Sequence, residues 1–182
     1  MSFAAIFTPR LVLRPLRDED AALLAAYRSD PDVARFQAWH APYSEAQAHD
    51  LIRSMQGRAI GEDGWTQIAV TAREGDGLIG DLALRAFAPR HAELGFTFAR
   101  SAQGQGFARE AISGLLDLAF GVLALHRVVA NTDPRAGNIA RVLRWLGFRH
   151  EGQAIEAYFD SEAWLDEDQY ALLAREWQGQ QP

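Results

Sequence analysis

SAQGQGFAREA, residues 101–111, decides how the rest of the chain is read. Gly104 and Gly106 stand at alternate positions, and from Phe107 onward apolar residues fall at 107, 108, 111, 112, 115, 116, 119 and 123. That stripe has helical period over about four turns. Just upstream, AELGFTFA (92–99) reads as a strand. A strand, a glycine-rich turn and a helix N-terminus together make an anion site, because glycines let backbone N–H groups point at a phosphate and the helix dipole adds a favourable field. A nucleotide phosphate loop needs Gly-Lys-Ser/Thr, and all 18 basic residues of this chain are arginine. A dinucleotide fingerprint needs a third glycine where Arg109 stands, and that bulk would hold the helix off the strand.

Working outward, RLVLRPL (10–16) alternates with period two and predicts a first strand. A helix is expected from Asp18 through Leu23, Leu24 and Tyr27, ending at SDPD (29–32). A second opens at Ser44, where Gln47 completes a capping box and Leu51, Ile52 and Met55 form the buried stripe. WTQIAVTA (65–72) and LIGDLALRAF (78–87), joined by a polar, glycine-bearing turn, predict a β-hairpin. HRVVAN (126–131) reads as a strand, and Asp133 and Pro134 as the start of a helix with Ile139, Val142, Leu143 and Leu146 inward and Gly147 at its end. FRHEGQAIEAYF (148–159) and AWLDEDQYALLARE (163–176) read as a closing pair of strands, the second with helical propensity. This order is neither a regular α/β alternation nor separate blocks, and it predicts a mixed sheet with helices on both faces. No repeat or linker divides the 182 residues, so a single domain is expected.

Composition removes whole classes of chemistry. There is no cysteine, hence no disulfide, thiolate–metal site or cysteinyl thioester. Without lysine there is no Schiff base and no self-acetylated lysine. The five histidines, including His40, show no ligand spacing, so no metal site is expected. A net charge of −6 argues against nucleic acid as a partner. The opening MSFAAIFTPR has no basic leader, and no apolar run reaches the roughly 18 residues of a membrane span. The expectation is a soluble, cytoplasmic protein with no membrane partner. Residues 150–174 hold seven acidic side chains and no arginine, either a solvated hairpin face or a surface that recruits an amine.

Gln103, Gly106 and Ala108 match in register the Q/R-x-x-G-x-G/A signature with which GNAT-superfamily acetyltransferases hold the pyrophosphate of acetyl-CoA. From about residue 8 to residue 177 the chain resembles the RimJ/RimL branch of that superfamily, the ribosomal-protein N-terminal acetyltransferases. TPRLVLRPLRDED resembles its opening strand and first helix, HRVVANTDPRAGNIARVLRWLGFRHEG its second cofactor segment, and YFDSEAWLDEDQYALLAREW its closing strands. The resemblance implies an α+β fold with a mostly antiparallel sheet of about seven strands, across residues 1–182. Within it the strands around 92–99 and 126–131 would splay apart to take the pantetheine arm of acetyl-CoA. It also implies an N-acetyltransferase that moves acetyl to a primary amine by direct transfer in a ternary complex, or, alternatively, a non-catalytic acyl-CoA-binding regulatory protein of the same fold. Relatives often pair, which leaves a homodimer open; no interface stripe stands out.

On this resemblance the cofactor site comprises Phe98, Ala99, Arg100, Gln103, Gly104, Gln105, Gly106, Phe107, Ala108, Arg109 and Asn138. The backbone N–H groups of 104–108 would hold the diphosphate, Arg100 or Arg109 would add charge, and an N–H at Phe98 or Ala99 would meet the oxyanion. Glu93 stands where this branch carries a glutamate facing the acceptor, as general base or amine-binding group. Trp39 and His40 border the acceptor cleft in relatives. Tyr158 and Tyr170 could donate a proton, though packing is the favoured reading of both. The usual leaving-group asparagine and serine positions hold Ala136 and Ile139, with Asn138 two residues late. A thiol has a pKa near 8.5 and leaves tolerably without a donor, whereas an amine must first lose its proton. The base therefore matters more than the acid, and a low-pKa amine suits such a site.

Overall fold

The computed structural model describes residues 3–160 and 162–178; Met1 and Ser2 of the opening stretch, Ser161 of the closing segment and the last four residues lie outside them. Among the described residues eight strands form one sheet: β1 (Ile6–Phe7), β2 (Leu11–Pro15), β3 (Gly64–Ala72), β4 (Leu78–Phe87), β5 (His91–Phe98), β6 (Arg127–Thr132), β7 (Arg149–Phe159) and β8 (Trp164–Leu173). Their order across the sheet is β1-β2-β3-β4-β5-β6-β8-β7. Every neighbouring pair is antiparallel except β5 and β6, which are parallel because a helical crossover joins them. The mixed, mostly antiparallel sheet thus has one strand beyond the expected seven, the two-residue edge strand β1.

Helices α1 (Ala21–Arg28), α2 (Pro31–Ala34) and α3 (Glu45–Met55) precede the central strands; α4 (Phe107–Asp117) is the crossover, and α5 (Gly137–Trp145) and α6 (Ala174–Gln178) follow. The capping box at α3 is present: Ser44 Oγ accepts from Gln47 N–H at 3.2 Å, and Gln47 Oε1 accepts from Ser44 N–H at 2.8 Å. SDPD does more than end α1, since Asp30 accepts from Asp32 N–H and Pro31 starts α2. Asp133–Pro134 does not start the next helix. Asp133 Oδ1 takes the N–H of Arg135 at 2.8 Å in a local turn, and α5 begins three residues after the proline, at Gly137. The second closing segment is a strand to Leu173 and turns helical only at Ala174.

Two apolar clusters lie on the two faces of the sheet. On one, Ala111, Ile112, Leu115 and Leu116 of α4 pack with Leu143 of α5 against Leu82, Leu84, Leu94 and Val128. On the other, Leu24 of α1 and Ala48 and Ile52 of α3 cover Leu16, Ala69 and Leu78. Leu51 and Met55 sit at the rim of this second cluster, half-buried. No helix among the described residues is long and apolar enough to cross a membrane.

Candidate active site

The sheet opens at its one parallel seam. β5 and β6 pair at His91–Arg127, Ala92–Val128 and Glu93–Val129 and no further, although β5 continues to Phe98 and β6 to Thr132. On its other edge β5 stays paired to β4 as far as Phe98–Gly80. Ala99 N–H donates to Ile79 O at 3.0 Å. The alternation of an antiparallel ladder then turns the amides of Phe96 and Phe98 away from β4, toward the seam that β6 has left. Of the two oxyanion candidates, Ala99 therefore has its N–H engaged by β4, and Phe98 turns its N–H into the opened seam.

At the head of the wedge Gly104 and Gly106 adopt left-handed φ of +74° and +80°, which glycine reaches without strain. Gly106 is the N-cap of α4 and no side chain caps the first turn, so these N–H groups are available to an anion. Gln103 Nε2 donates to Phe98 O at 3.0 Å, tying the loop to the end of β5.

A cavity of about 360 Å³ runs from this loop along the wedge, bounded by Phe98, Gln103, Gly104, Gly106, Phe107, Ala108, Arg109 and Asn138, among others. Ala99, Arg100 and Gln105 stand outside this lining. Arg100 is paired with Asp32, and the Gln105 side chain donates to Ser101 O. Arg109 lies with its guanidinium 4.5 Å from the Trp145 ring centre. Arg141, one helical turn beyond Asn138, is a second cation on the cavity that sequence reading missed; the spacing of three from Asn138 along α5 was the available signal. Ala136 is buried, and Ile139 faces the cavity where the missing hydroxyl would stand.

On the opposite face lies a cleft of about 880 Å³. Phe36, Gln37, Phe96 and Thr97 line both spaces, so the two meet at the wedge. Trp39 and His40 form its wall. Trp39 covers the Arg28 guanidinium at 4.1 Å and donates Nε1–H to Arg28 O, and His40 Nε2 donates to the Asp160 carbonyl at 3.1 Å. Arg28 in turn pairs with buried Asp81 at 3.0 Å, which also accepts from Tyr27 OH and Gln67 Nε2. Burial, with the Asp81 charge beside it, pushes the Tyr27 phenol well above its ordinary range. Glu93 faces this cleft, with Asn131 Nδ2 at 3.3 Å and Arg85 Nη1 at 3.5 Å.

The two tyrosines separate. Tyr170 is buried, with Arg144 donating to its hydroxyl at 3.2 Å, and it packs as expected. Tyr158 does not: it is 38% exposed, because β7 is the outermost strand, and it borders the larger cleft rather than the cavity headed by the glycine loop. Sequence reading also missed Asn131 and Glu167, which reach this cleft only through the β5–β6–β8 order.

Residues 10–149 match the family described as Acetyltransferase (GNAT) domain. The chain is 30% identical over 177 residues to the uncharacterized N-acetyltransferase p20 of Bacillus licheniformis, covering 96% of this chain and 98% of that one. Among solved structures, the GNAT-family acetyltransferase from Bacillus anthracis superposes with a TM-score of 0.87 at 24% identity, over 95% of this chain and all of that one. Mycobacterium smegmatis RimJ in complex with CoA-disulfide superposes with a TM-score of 0.80 at 23% identity, over 95% of this chain and 87% of that one. With a sheet split at its one parallel seam, a glycine loop at the head of the split and a family match across most of its length, the chain belongs to the GNAT family of N-acetyltransferases.

Proposed function

We propose that residues 1–182 are one N-acetyltransferase domain that moves the acetyl group of acetyl-CoA directly to a primary amine, a peptide or protein N-terminus or a small amine, in a ternary complex. The observation that carries this is the meeting of the loop-headed cavity and the acceptor cleft at Phe96 and Thr97, beside the unpaired Phe98 amide. The cavity residues fit the cofactor: free N–H groups at 104–108 for the diphosphate, with Arg109 and Arg141 as counter-charge. The CoA-disulfide held by M. smegmatis RimJ on the same fold supports that choice. Bound there, acetyl-CoA supplies an activated acetyl group. Phe98 N–H stabilises the oxygen that takes up negative charge, a contribution worth typically about 10² to 10³ in rate. Glu93, steadied by Asn131 and Arg85, holds the amine at the wedge.

Among the described residues, Ala136 and Ile139 offer no proton to the sulfur, and Tyr158 borders the cleft on the acceptor side. A thiol pKa near 8.5 makes this tolerable near neutral pH. The acceptor is then a low-pKa amine, because an α-amino group near 8 is about a tenth neutral at pH 7, a lysine side chain far less. A cytoplasmic location goes with this reading.

The test is free-thiol release from acetyl-CoA across N-terminal peptides, polyamines and aminoglycosides, beside calorimetric CoA binding. Turnover of an acceptor above hydrolysis is expected. Tight CoA binding with no acceptor turned over would replace this reading with a non-catalytic acyl-CoA-binding regulatory protein.

A further inference from the structure

Six carboxylates line the acceptor cleft: Asp81, Glu93, Asp133, Asp160, Asp166 and Glu167. Five of them are engaged by donors of the chain. Asp81 accepts from Tyr27, Arg28 and Gln67, and Glu93 from Asn131 and Arg85. Asp133 is held by the backbone and guanidinium of Arg135, with Arg35 adding to the field, and Asp160 accepts the amides of Glu162 and Ala163. Asp166 accepts from Gln153 Nε2 at 3.0 Å and Glu156 N–H at 2.9 Å. Glu167 alone accepts no N–H or O–H from any described residue. It is half-buried on β8 beyond the last pairing of β6, Thr132 with Asp168, and so stands at the open end of the wedge, near Glu93.

We infer that Glu167, rather than Glu93, is the group that takes the proton from the acceptor amine, with Glu93 holding that amine in place. This rests on the N-acetyltransferase reading above. A base needs a lone pair toward the substrate; Glu93 has one contact on each oxygen, from Asn131 and Arg85, which orient it and favour its charged form, whereas neither oxygen of Glu167 is engaged by a described residue. Burial, and then the charge of Glu93, also push the Glu167 carboxyl above the ordinary range, toward the pKa a proton acceptor needs near neutral pH. The remaining ionisable neighbours are committed or more remote in role. Arg85 serves Glu93, His40 bonds the Asp160 carbonyl, and Tyr158 borders the same cleft from the outermost strand.

The step balances. Glu167 accepts one N–H proton from the ammonium, and the freed pair on nitrogen forms the C–N bond. The C–S bond breaks, and sulfur leaves with its electron pair and receives the second N–H proton. One amide and one thiol depart, and Glu167 returns its proton to solvent.

Comparing wild type, Glu167→Gln, Glu167→Asp and Glu93→Gln on one turned-over peptide, at pH from about 6 to about 8, tests the assignment. Glu167→Gln is expected to lower kcat by about 10² near pH 6 while CoA affinity and melting temperature stay within error. Its rate then depends on amine already neutral in solution, so the deficit narrows by more than tenfold by about pH 8. Glu167→Asp should recover part of kcat, and Glu93→Gln should mainly raise the acceptor KM. A Glu167→Gln enzyme with wild-type kcat and pH profile, with the loss and the altered profile appearing instead in Glu93→Gln, overturns the inference and leaves the enzyme reading intact. Wild type that binds CoA and turns over nothing overturns both.

Discussion

Arg10, just ahead of β2, and Glu110, in the first turn of α4, are joined by an ion pair of 2.6 Å across 100 residues of sequence. Glu110 also accepts the Arg10 N–H and the Thr8 hydroxyl, each at 2.6 Å, while Arg10 Nη1 donates to Gln105 O at 3.0 Å. The glycine loop is clamped through a carbonyl on the strand side, which leaves its N–H groups for the cavity. Burial works against the Glu110 carboxylate, but the bonds from Thr8 and Arg10 outweigh it and its pKa is lowered.

Gly106→Ala forces a side chain into φ +80° at the N-cap of α4, although a Cβ there meets only the Arg10 guanidinium at 3.5 Å. The expected cost is about 1–2 kcal/mol of stability, with a fall of roughly tenfold in CoA affinity as the amides re-aim. Arg10→Ala should weaken CoA in the same direction and by less. Calorimetry and thermal melts measure both, and unchanged affinity in Gly106→Ala would remove the loop from diphosphate binding.

Gly80 is where β4 presses on the end of β5. A Cβ there would lie 2.5 Å from Thr97 O and 2.7 Å from Phe98 Cδ1. Gly80→Ala should cost about 1–3 kcal/mol of stability and displace the Phe98 amide, so kcat falls more than CoA affinity. Equal losses in the two would detach Phe98 from the reaction.

Asp81 is 1% exposed and balances Arg28, which is 5% exposed and supports Trp39. Removing the carboxylate leaves a buried guanidinium uncompensated, so Asp81→Ala should lose about 3–5 kcal/mol in urea denaturation. An Asp81→Ala protein as stable as wild type would mean the pair is not buried in solution.

Acid sensitivity follows from depressed carboxyls. The hydrogen bond from Arg127, opposed by burial and reinforced by Arg149, holds Glu151 at about 2. Asp133, Asp160 and Glu176 are shifted the same way. A carboxyl lowered in the folded state contributes stability that is complete above its unfolded value, about 4.3 for glutamate, and is lost as pH falls through the folded value. Melting temperature should hold down to about pH 5 and drop between about pH 4 and pH 2, and Glu151→Gln should flatten that drop. A variant with the wild-type pH profile would refute the role of Glu151.

Much of the fold was written in local pattern. The α4 stripe, the Ser44 capping box, the β3–β4 hairpin and Gly147 as the stop of α5 each depend on neighbours within a few residues, and such signals survive whatever the rest of the chain does. The start of α5 was misread because Asp133 bonded the nearer amide of Arg135 instead of capping, a competition between two local turns that propensity does not rank.

By itself the sequence determined the glycine loop at the head of α4: Gly104 and Gly106 ahead of an amphipathic helix, in a chain without lysine or cysteine, leave few chemistries. What only the tertiary structure decided is the make-up of the larger cleft. Glu93, Asn131 and Glu167 sit on three strands brought together by the order β5-β6-β8, and nothing in their spacing along the chain encodes that neighbourhood. Whether Phe98 or Ala99 offers a free amide is likewise decided by which edge of β5 is paired. A backbone donor carries no residue signature, and its direction is set by the ladder it joins.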